Sequence, residues 1–174
     1  MRKNEVDWRD KLQPNQHIHL IGIGGMGMAG LAVLLHERGL QVSGCDATSN
    51  RQTAYLQARG IPVELHHDAV HLEGCDLLIR SSAVSLEMDE VQEAIRQGIP
   101  VVQRGYVLAE LVRDRICIAV AGSHGKTSTA AILAQVLQSG FAIGGEIGGD
   151  AALARDGAWM VTELDESDGT LTQF

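Results

Sequence analysis

Aromatic side chains are scarce: Phe, Trp and Tyr occur twice each. That is too few for the stacking platforms that hold nucleic-acid bases. Cations are also in deficit, with 14 Lys and Arg against 22 Asp and Glu, a formal net charge of -8. A nucleic-acid partner normally calls for a basic face, so none is expected. Cysteine is limited to Cys45, Cys75 and Cys117, with no C-x-x-C pair. An odd set at such spacing predicts reduced, partly buried thiols rather than a disulfide framework, and hence a cytoplasmic setting. The opening "MRKNEVDWRD" is too charged for a signal peptide.

One stretch, residues 18–35, lacks Lys, Arg, Asp and Glu altogether and approaches membrane-spanning length. Its five glycines, Gly22, Gly24, Gly25, Gly27 and Gly30, would each weaken a continuous helix by about 1 kcal/mol relative to alanine. A buried strand, a glycine turn and a buried helix account for the same run, so no membrane span is expected.

What the chain does have is alternation. Apolar runs at 17–22, 41–46, 61–65, 76–81, 99–103, 116–122 and 158–164 read as strands. Helical patterns cover 28–38, 53–59, 89–97, 106–113 and 126–138, several closing on glycine. This β-α-β order predicts an α/β fold with a mainly parallel sheet. There are two phosphate-type turns, and one sheet usually has one principal crevice. A boundary near 113–115 is therefore expected, giving domains 1–114 and 115–174, the second small for an independent core.

The first turn, "GIGGMG", sets Gly22, Gly24 and Gly27 in a G-x-G-x-x-G pattern, with Asp46 ending the next strand. Glycines let the backbone approach a diphosphate at a helix N-terminus, and an acidic group at Asp46 can accept from a ribose. Tight strand–helix packing without a ligand is the alternative. The overlapping match at Gly25, Gly27 and Gly30 leaves the register open. A nicotinamide-dependent oxidoreductase also fits this turn taken alone.

The second turn, "GSHGKTS", runs from Gly122 through Ser123, His124, Gly125, Lys126 and Thr127 to Ser128, between an apolar strand and a helix. Such a turn can wrap N–H groups around phosphates, with Lys126 on the outer phosphates and Thr127 on Mg²⁺. Further on, "VTELDESDG" carries Glu163, Asp165, Glu166 and Asp168. At least one of these carboxylates is expected to serve Mg²⁺; a solvated acidic loop is the alternative. "RSSAVS" places Ser81, Ser82 and Ser85 at a strand end, where open parallel sheets bind ligands. "HHDAVH" sets His67 and His71 four apart beside His66 and Asp68. No third ligand is evident there, so a solvated surface is expected.

Together "HLIGIGGMGMAGLA", "VSGCD", "SSAVS", "IPVVQRGYVLAELVR", "AVAGSHGKTSTAAIL", "GGEIGG" and "TELDESDG" resemble the Mur ligases, in the family's order and over nearly the whole chain. The resemblance implies a Rossmann-like UDP-sugar domain followed by an incomplete P-loop-type α/β central domain. It further implies an ATP-dependent, amide-forming ligase of peptidoglycan precursor synthesis, using ATP and Mg²⁺. Its substrates would be UDP-N-acetylmuramate and L-alanine, with the murein peptide ligase branch or a non-catalytic nucleotide-sugar binder as alternatives.

By the same resemblance, residues 122–128 hold ATP, with Lys126 catalytic and Thr127 and Glu163 on the metal. Gly22, Gly24, Gly25, Met26 and Gly27 cradle the UDP diphosphate, and Asp46, Ser81, Ser82 and Arg104 position the nucleotide-sugar. Arg80 departs from the family's usual apolar residue. A later histidine and a third domain have no counterpart here. The expectation is therefore UDP-sugar binding without turnover by this chain alone. A homo-oligomer is compatible with the sequence.

Overall fold

The computed structural model describes residues 7–147 and 152–164. The first half forms a five-stranded sheet in the order β3-β2-β1-β4-β5, every neighbouring pair parallel. Its strands are β1 (His17–Ile21), β2 (Gln41–Cys45), β3 (Val63–Glu64), β4 (Leu77–Arg80) and β5 (Val101–Gln103). They alternate with α1 (Met26–Glu37), α2 (Arg51–Ala58), α3 (Asp89–Arg96) and α4 (Arg104–Val112). The strand order reverses between β1 and β4, so the crevice of a doubly wound sheet opens at their carboxyl ends. α2 starts at Arg51, earlier than its periodicity implies, because Asn50 and Thr53 cap each other reciprocally.

The second sheet has the order β6-β9-β7-β8, from β6 (Ile116–Val120), β7 (Gly140–Ile147), β8 (Ala152–Arg155) and β9 (Trp159–Glu163). β6, β9 and β7 are parallel, and β8 runs antiparallel to β7. α5 (Lys126–Leu137) follows β6. β7 and β8 are not among the predicted strands. "GFAIGGEI" has glycine where a strand pattern needs bulky side chains, and pairing across the sheet overrides that weak local preference. The predicted strand 61–65 shrinks to the two residues of β3.

The charge-free run at 18–35 is β1, the first turn and most of α1. Every residue of α1 from Met28 to Leu35 is buried, because the helix packs on the first sheet with one side and on β7 and β8 with the other. A helix enclosed in this way has no solvated stripe to carry charge. Among the described residues no helix is long and apolar enough to cross a membrane. Where α1 meets the second sheet, a Cβ on Gly30 would lie 3.1 Å from the Leu153 carbonyl oxygen.

Charge closes the far end of this contact. The Arg38 guanidinium donates to both carboxylate oxygens of Asp156 at 3.1 and 3.3 Å, and to the Leu111 carbonyl at 2.9 Å. Arg115 donates to Asp156 at 3.2 Å. Burial works to raise the Asp156 pKa, but Arg38, the Gly157 N–H and Arg115 outweigh it and hold the carboxyl below its ordinary value.

Two outcomes follow from this junction. Gly30→Val is expected to cost about 1–3 kcal/mol by overpacking, read as a lower urea midpoint at unchanged m. Asp156→Asn is expected to cost about 1 kcal/mol at neutral pH, a partly exposed network contributing little more. Because the folded-state pKa is depressed, that contribution is present above the unfolded carboxyl pKa and is lost as pH falls through the folded one. Urea denaturation of the variant and the parent should therefore converge in acid, and a gap that persists there would contradict the assignment.

Candidate functional site

Each predicted ligand residue of the first sheet sits just past the carboxyl end of a parallel strand. The turn after β1 begins at Gly22, whose φ of +77° disfavours a side chain. The Gly22 and Ile23 N–H groups both donate to the Cys45 carbonyl, at 2.9 and 3.1 Å. Gly24 is fixed from both sides: its N–H donates to Asp46 Oδ2 at 2.9 Å, and Asn50 Nδ2 donates to its carbonyl at 3.0 Å. A Cβ on Gly24 would meet both of those side chains at 2.8 Å. Asp46 also accepts from the Thr48 N–H at 3.2 Å, so its carboxylate supports the turn. Gly25 is the N-cap of α1 and makes no side-chain capping bond, which leaves the first-turn N–H groups facing outward. A Cβ on Gly27 would run into the Arg104 guanidinium.

Ser81 and Ser82 follow β4, beside β1. Arg80 Nη1 donates to the Val84 carbonyl at 2.8 Å and to the Ser81 carbonyl at 3.4 Å. The unusual residue thus pins the serine loop. Arg104 opens α4, directly after β5.

The second turn joins β6 to α5. Gly122 and Gly125 both have positive φ, +142° and +75°. Open space surrounds the place where a Gly125 Cβ would stand, so the backbone is bare at the helix N-terminus. Ser123, His124 and Ser128 are exposed. Lys126 Nζ donates to the Gly122 carbonyl at 2.9 Å, folding back over its own turn. Glu163 ends β9, next to β6, and accepts from Thr127 Oγ1 at 2.8 Å. Its other oxygen accepts from the Gly144 N–H of β7. An octahedral shell at the 2.0–2.1 Å of Mg²⁺ has edges of about 2.9 Å. The Thr127 and Glu163 oxygens therefore already stand an edge apart, and their hard oxygen chemistry fits that ion. Asp165, Glu166 and Asp168 lie outside the described residues.

The two turns meet. One cavity of about 220 Å³ is lined by Gly25, Met26, Gly27, Ser81, Ser82 and Arg104 from the first sheet and by Lys126, Gly144 and Glu163 from the second. Gly22, Gly24 and Asp46 lie behind it as support, and Gly122 to Gly125 are not part of its wall. What periodicity could not supply is α1 as the common wall, with Gly27, Gly30 and Leu31 all facing this space.

A second cluster lies on the opposite face of the first sheet. The sequence reading expects a solvated surface around His66, His67 and His71, and the structure corrects this for His71. It sits in a 3-10 turn (Ala69–Leu72) and points inward, its side chain 8% exposed. His71 Nδ1 lies 3.1 Å from Glu90 Oε1. His19 Nε2 lies 3.4 Å from both Glu90 Oε1 and Cys45 Sγ. His19 and Glu90 are buried polar residues whose partners are far away in sequence, so no local spacing could have flagged them. Burial lowers the His19 pKa against the pull of Glu90. Burial also works to raise that of Glu90, but the hydrogen bonds from His19, Cys45 and His71 hold it below the ordinary carboxylate value.

Comparison with known proteins agrees with this architecture. Residues 17–116 match the model of the Mur ligase family, catalytic domain. The chain is 43% identical over 172 residues to UDP-N-acetylmuramate--L-alanine ligase of Halorhodospira halophila, covering 95% of this chain and 35% of that protein. It is 44% identical over 161 residues to the same-named protein of Neisseria meningitidis serogroup C, covering 88% and 34%. The chain thus spans about a third of the length of the curated relatives it matches. The structure superposes on UDP-N-acetylmuramate-alanine ligase from Thermotoga maritima with a TM-score of 0.81 at 31% identity, over 87% of this chain and 37% of that one. A murein peptide ligase from Psychrobacter arcticus gives 0.81 at 29% identity, over 87% and 38%. With this α/β architecture, these two glycine turns and a family match over more than half its length, the chain belongs to the Mur ligase family.

Proposed function

We propose that this chain carries the UDP-sugar site and part of the ATP site of a cytoplasmic ligase. That enzyme joins L-alanine to UDP-N-acetylmuramate in peptidoglycan precursor synthesis. The observation that supports this reading most is a cavity shared by the first glycine turn, the Ser81–Ser82 loop and Arg104 on one side and Lys126 and Glu163 on the other. A sugar nucleotide held by its diphosphate at the first turn would bring its sugar toward a phosphate held beside Lys126 and Glu163. Residues 1–114 would form the nucleotide-sugar domain and 115–174 part of the ATP-binding one. The alanine-adding branch is favoured over the murein peptide ligases because curated relatives of that name are 43–44% identical to this chain.

Each residue then has a task. The N–H groups at the start of α1 and the Arg104 guanidinium bind the diphosphate of the sugar nucleotide. Charge-assisted bonds of this kind are the strong ones. Ser81 and Ser82 orient the sugar from the neighbouring strand end. At the second turn the bare backbone at Gly125 receives phosphate oxygens, and Lys126 exchanges the Gly122 carbonyl for the outer phosphates. Thr127 and Glu163 would hold Mg²⁺, which when bound neutralises charge on the phosphates. The γ-phosphate passes to the lactyl carboxylate of the sugar, and the alanine amine displaces it from the resulting acyl phosphate. The residues bring the carboxylate and phosphate into line and balance their charge, which is most of what phosphoryl transfer asks of a protein.

Isothermal titration with the two ligands separately tests the proposal. Arg104→Ala is expected to weaken UDP-N-acetylmuramate binding roughly 10–100-fold, the loss of one bond to a charged group. Lys126→Ala should leave that affinity within about threefold and remove binding of a non-hydrolysable ATP analogue with Mg²⁺. Binding of NAD without binding of the UDP-sugar would refute the reading.

A further inference from the structure

The cluster behind the first sheet has a composition that the ligase chemistry does not call for. His19 comes from β1, Cys45 from the end of β2, His71 from the 3-10 turn and Glu90 from the first turn of α3. One donor atom from each lies within 4.8 Å of all the others. The closest pairs are 3.1 to 3.4 Å apart. A tetrahedral zinc shell, with nitrogen and oxygen at about 2.0–2.2 Å and sulfur at about 2.3 Å, has edges of about 3.3–3.6 Å. We propose that His19, Cys45, His71 and Glu90 form a binding site for a divalent cation of the zinc type.

Three further features support a built site. The first is orientation of the ligands. Ser43 Oγ lies 2.8 Å from His19 Nδ1, which leaves Nε2 to face Cys45 and Glu90. The same hydroxyl lies 2.8 Å from His17 Nε2. The His71 ring stacks on that of His19 at 5.4 Å, and His66 packs edge-on against His71 at 4.9 Å. Outer contacts of this sort hold ligating rings in place. The second is the donor set. A thiolate, two imidazoles and one carboxylate favour zinc over magnesium or calcium, which take oxygen.

The third is access. A surface cavity of about 360 Å³, lined by His67, Asp68, Ala69, Met88, Asp89 and Glu90, reaches the cluster from outside. Asp68 and Asp89 make its mouth acidic. His67 Nδ1 stands 3.2 Å from Cys45 Sγ and 3.3 Å from Glu90 Oε2, a fifth donor on the way in. Burial and then the Glu90 charge raise the Cys45 thiol pKa far above the ordinary value. On binding, the thiol proton leaves to solvent and sulfur becomes the ligand.

The test uses the untagged chain, stripped with a chelator, reloaded with Zn²⁺ or Co²⁺ and dialysed. Plasma mass spectrometry is expected to find about one retained zinc per chain, as for a closed four-ligand site. The Co²⁺ form should show a thiolate-to-cobalt charge-transfer band together with intense visible bands of tetrahedral geometry. Cys45→Ser should abolish the charge-transfer band and weaken zinc binding at least about 100-fold, more than loss of an outer contact does. Cys117→Ser, remote from the cluster, should keep both. If Cys45→Ser does not fold by circular dichroism, His71→Ala on its surface turn takes its place, with the same expected loss of affinity. Failure of the parent chain to retain metal, a six-coordinate cobalt spectrum, or a folded Cys45→Ser or His71→Ala chain that binds as tightly as the parent would each overturn the proposal.

Discussion

Burial of α1 between two sheets is the constraint from which the rest follows. With every residue from Met28 to Leu35 removed from water, the helix can carry no charge along that length. Its approach to β8 requires glycine at position 30. Burying Leu31, Leu34 and Leu35 fully would each contribute about 1.5–3 kcal/mol, and one helix makes that contribution to two sheets at once. The small second sheet therefore does not rest on its own core alone. Ala142, Leu153, Ala154 and Met160 belong to the same apolar cluster as Ile18, Leu20 and the residues of α1. Among the described residues its own separate cluster is Ala130, Ala134, Phe141, Ile143, Ile147 and Val161, with Ile118, Val120, Ala131 and Leu133 packed against it.

That arrangement also decides where chemistry can occur. The N-terminus of α1 must emerge where the two sheets meet, because the body of the helix fills the space between them. Its unpaired N–H groups then open onto the same cavity as Lys126 and Glu163. The first glycine turn and Lys126, about 100 residues apart in sequence, become neighbours without a segment devoted to joining them. The Arg38–Asp156 pair ties the other end of the helix to the residue that follows β8, with Arg115 and the Leu111 carbonyl completing the clasp.

Much of this was legible in the residues, and the exceptions share a cause. Seven parallel strands, five helices and both turns follow from short apolar runs, glycine stops and helical periodicity, signals contained within a dozen residues. β7 escaped because "GFAIGGEI" is glycine-rich and its strand state comes from its neighbours, and β8 because "ALAR" is four residues of helix-favouring composition held by pairing to β7. Gly144 and Gly145 are small because Glu163 and Thr127 press against them, where a Cβ would collide. The inward turn of His71 escaped for the same reason. Its spacing with His67 points to one another, whereas its partners are His19 and Glu90 on distant elements. Local patterns report on periodicity; convergence of distant side chains belongs to topology, which a single sequence states only indirectly.

Cys45 shows how closely the two sites are joined. Its carbonyl accepts the N–H groups of Gly22 and Ile23, so the end of β2 holds the first turn by its backbone. Its sulfur faces His19, His67 and Glu90 on the other side of the sheet. The next residue, Asp46, reaches back to the Gly24 N–H. Gly44, just before, sits so close to Leu20 and Ile23 that a Cβ would fall 2.6 Å from the Leu20 carbonyl oxygen. Three consecutive residues thus contact the turn from three directions, and there is no slack for one to move alone. One residue therefore contacts the side-chain cluster through its sulfur and the first turn through its carbonyl. The end of β2 thus belongs at once to the first turn and to the side-chain cluster on the other face of the sheet.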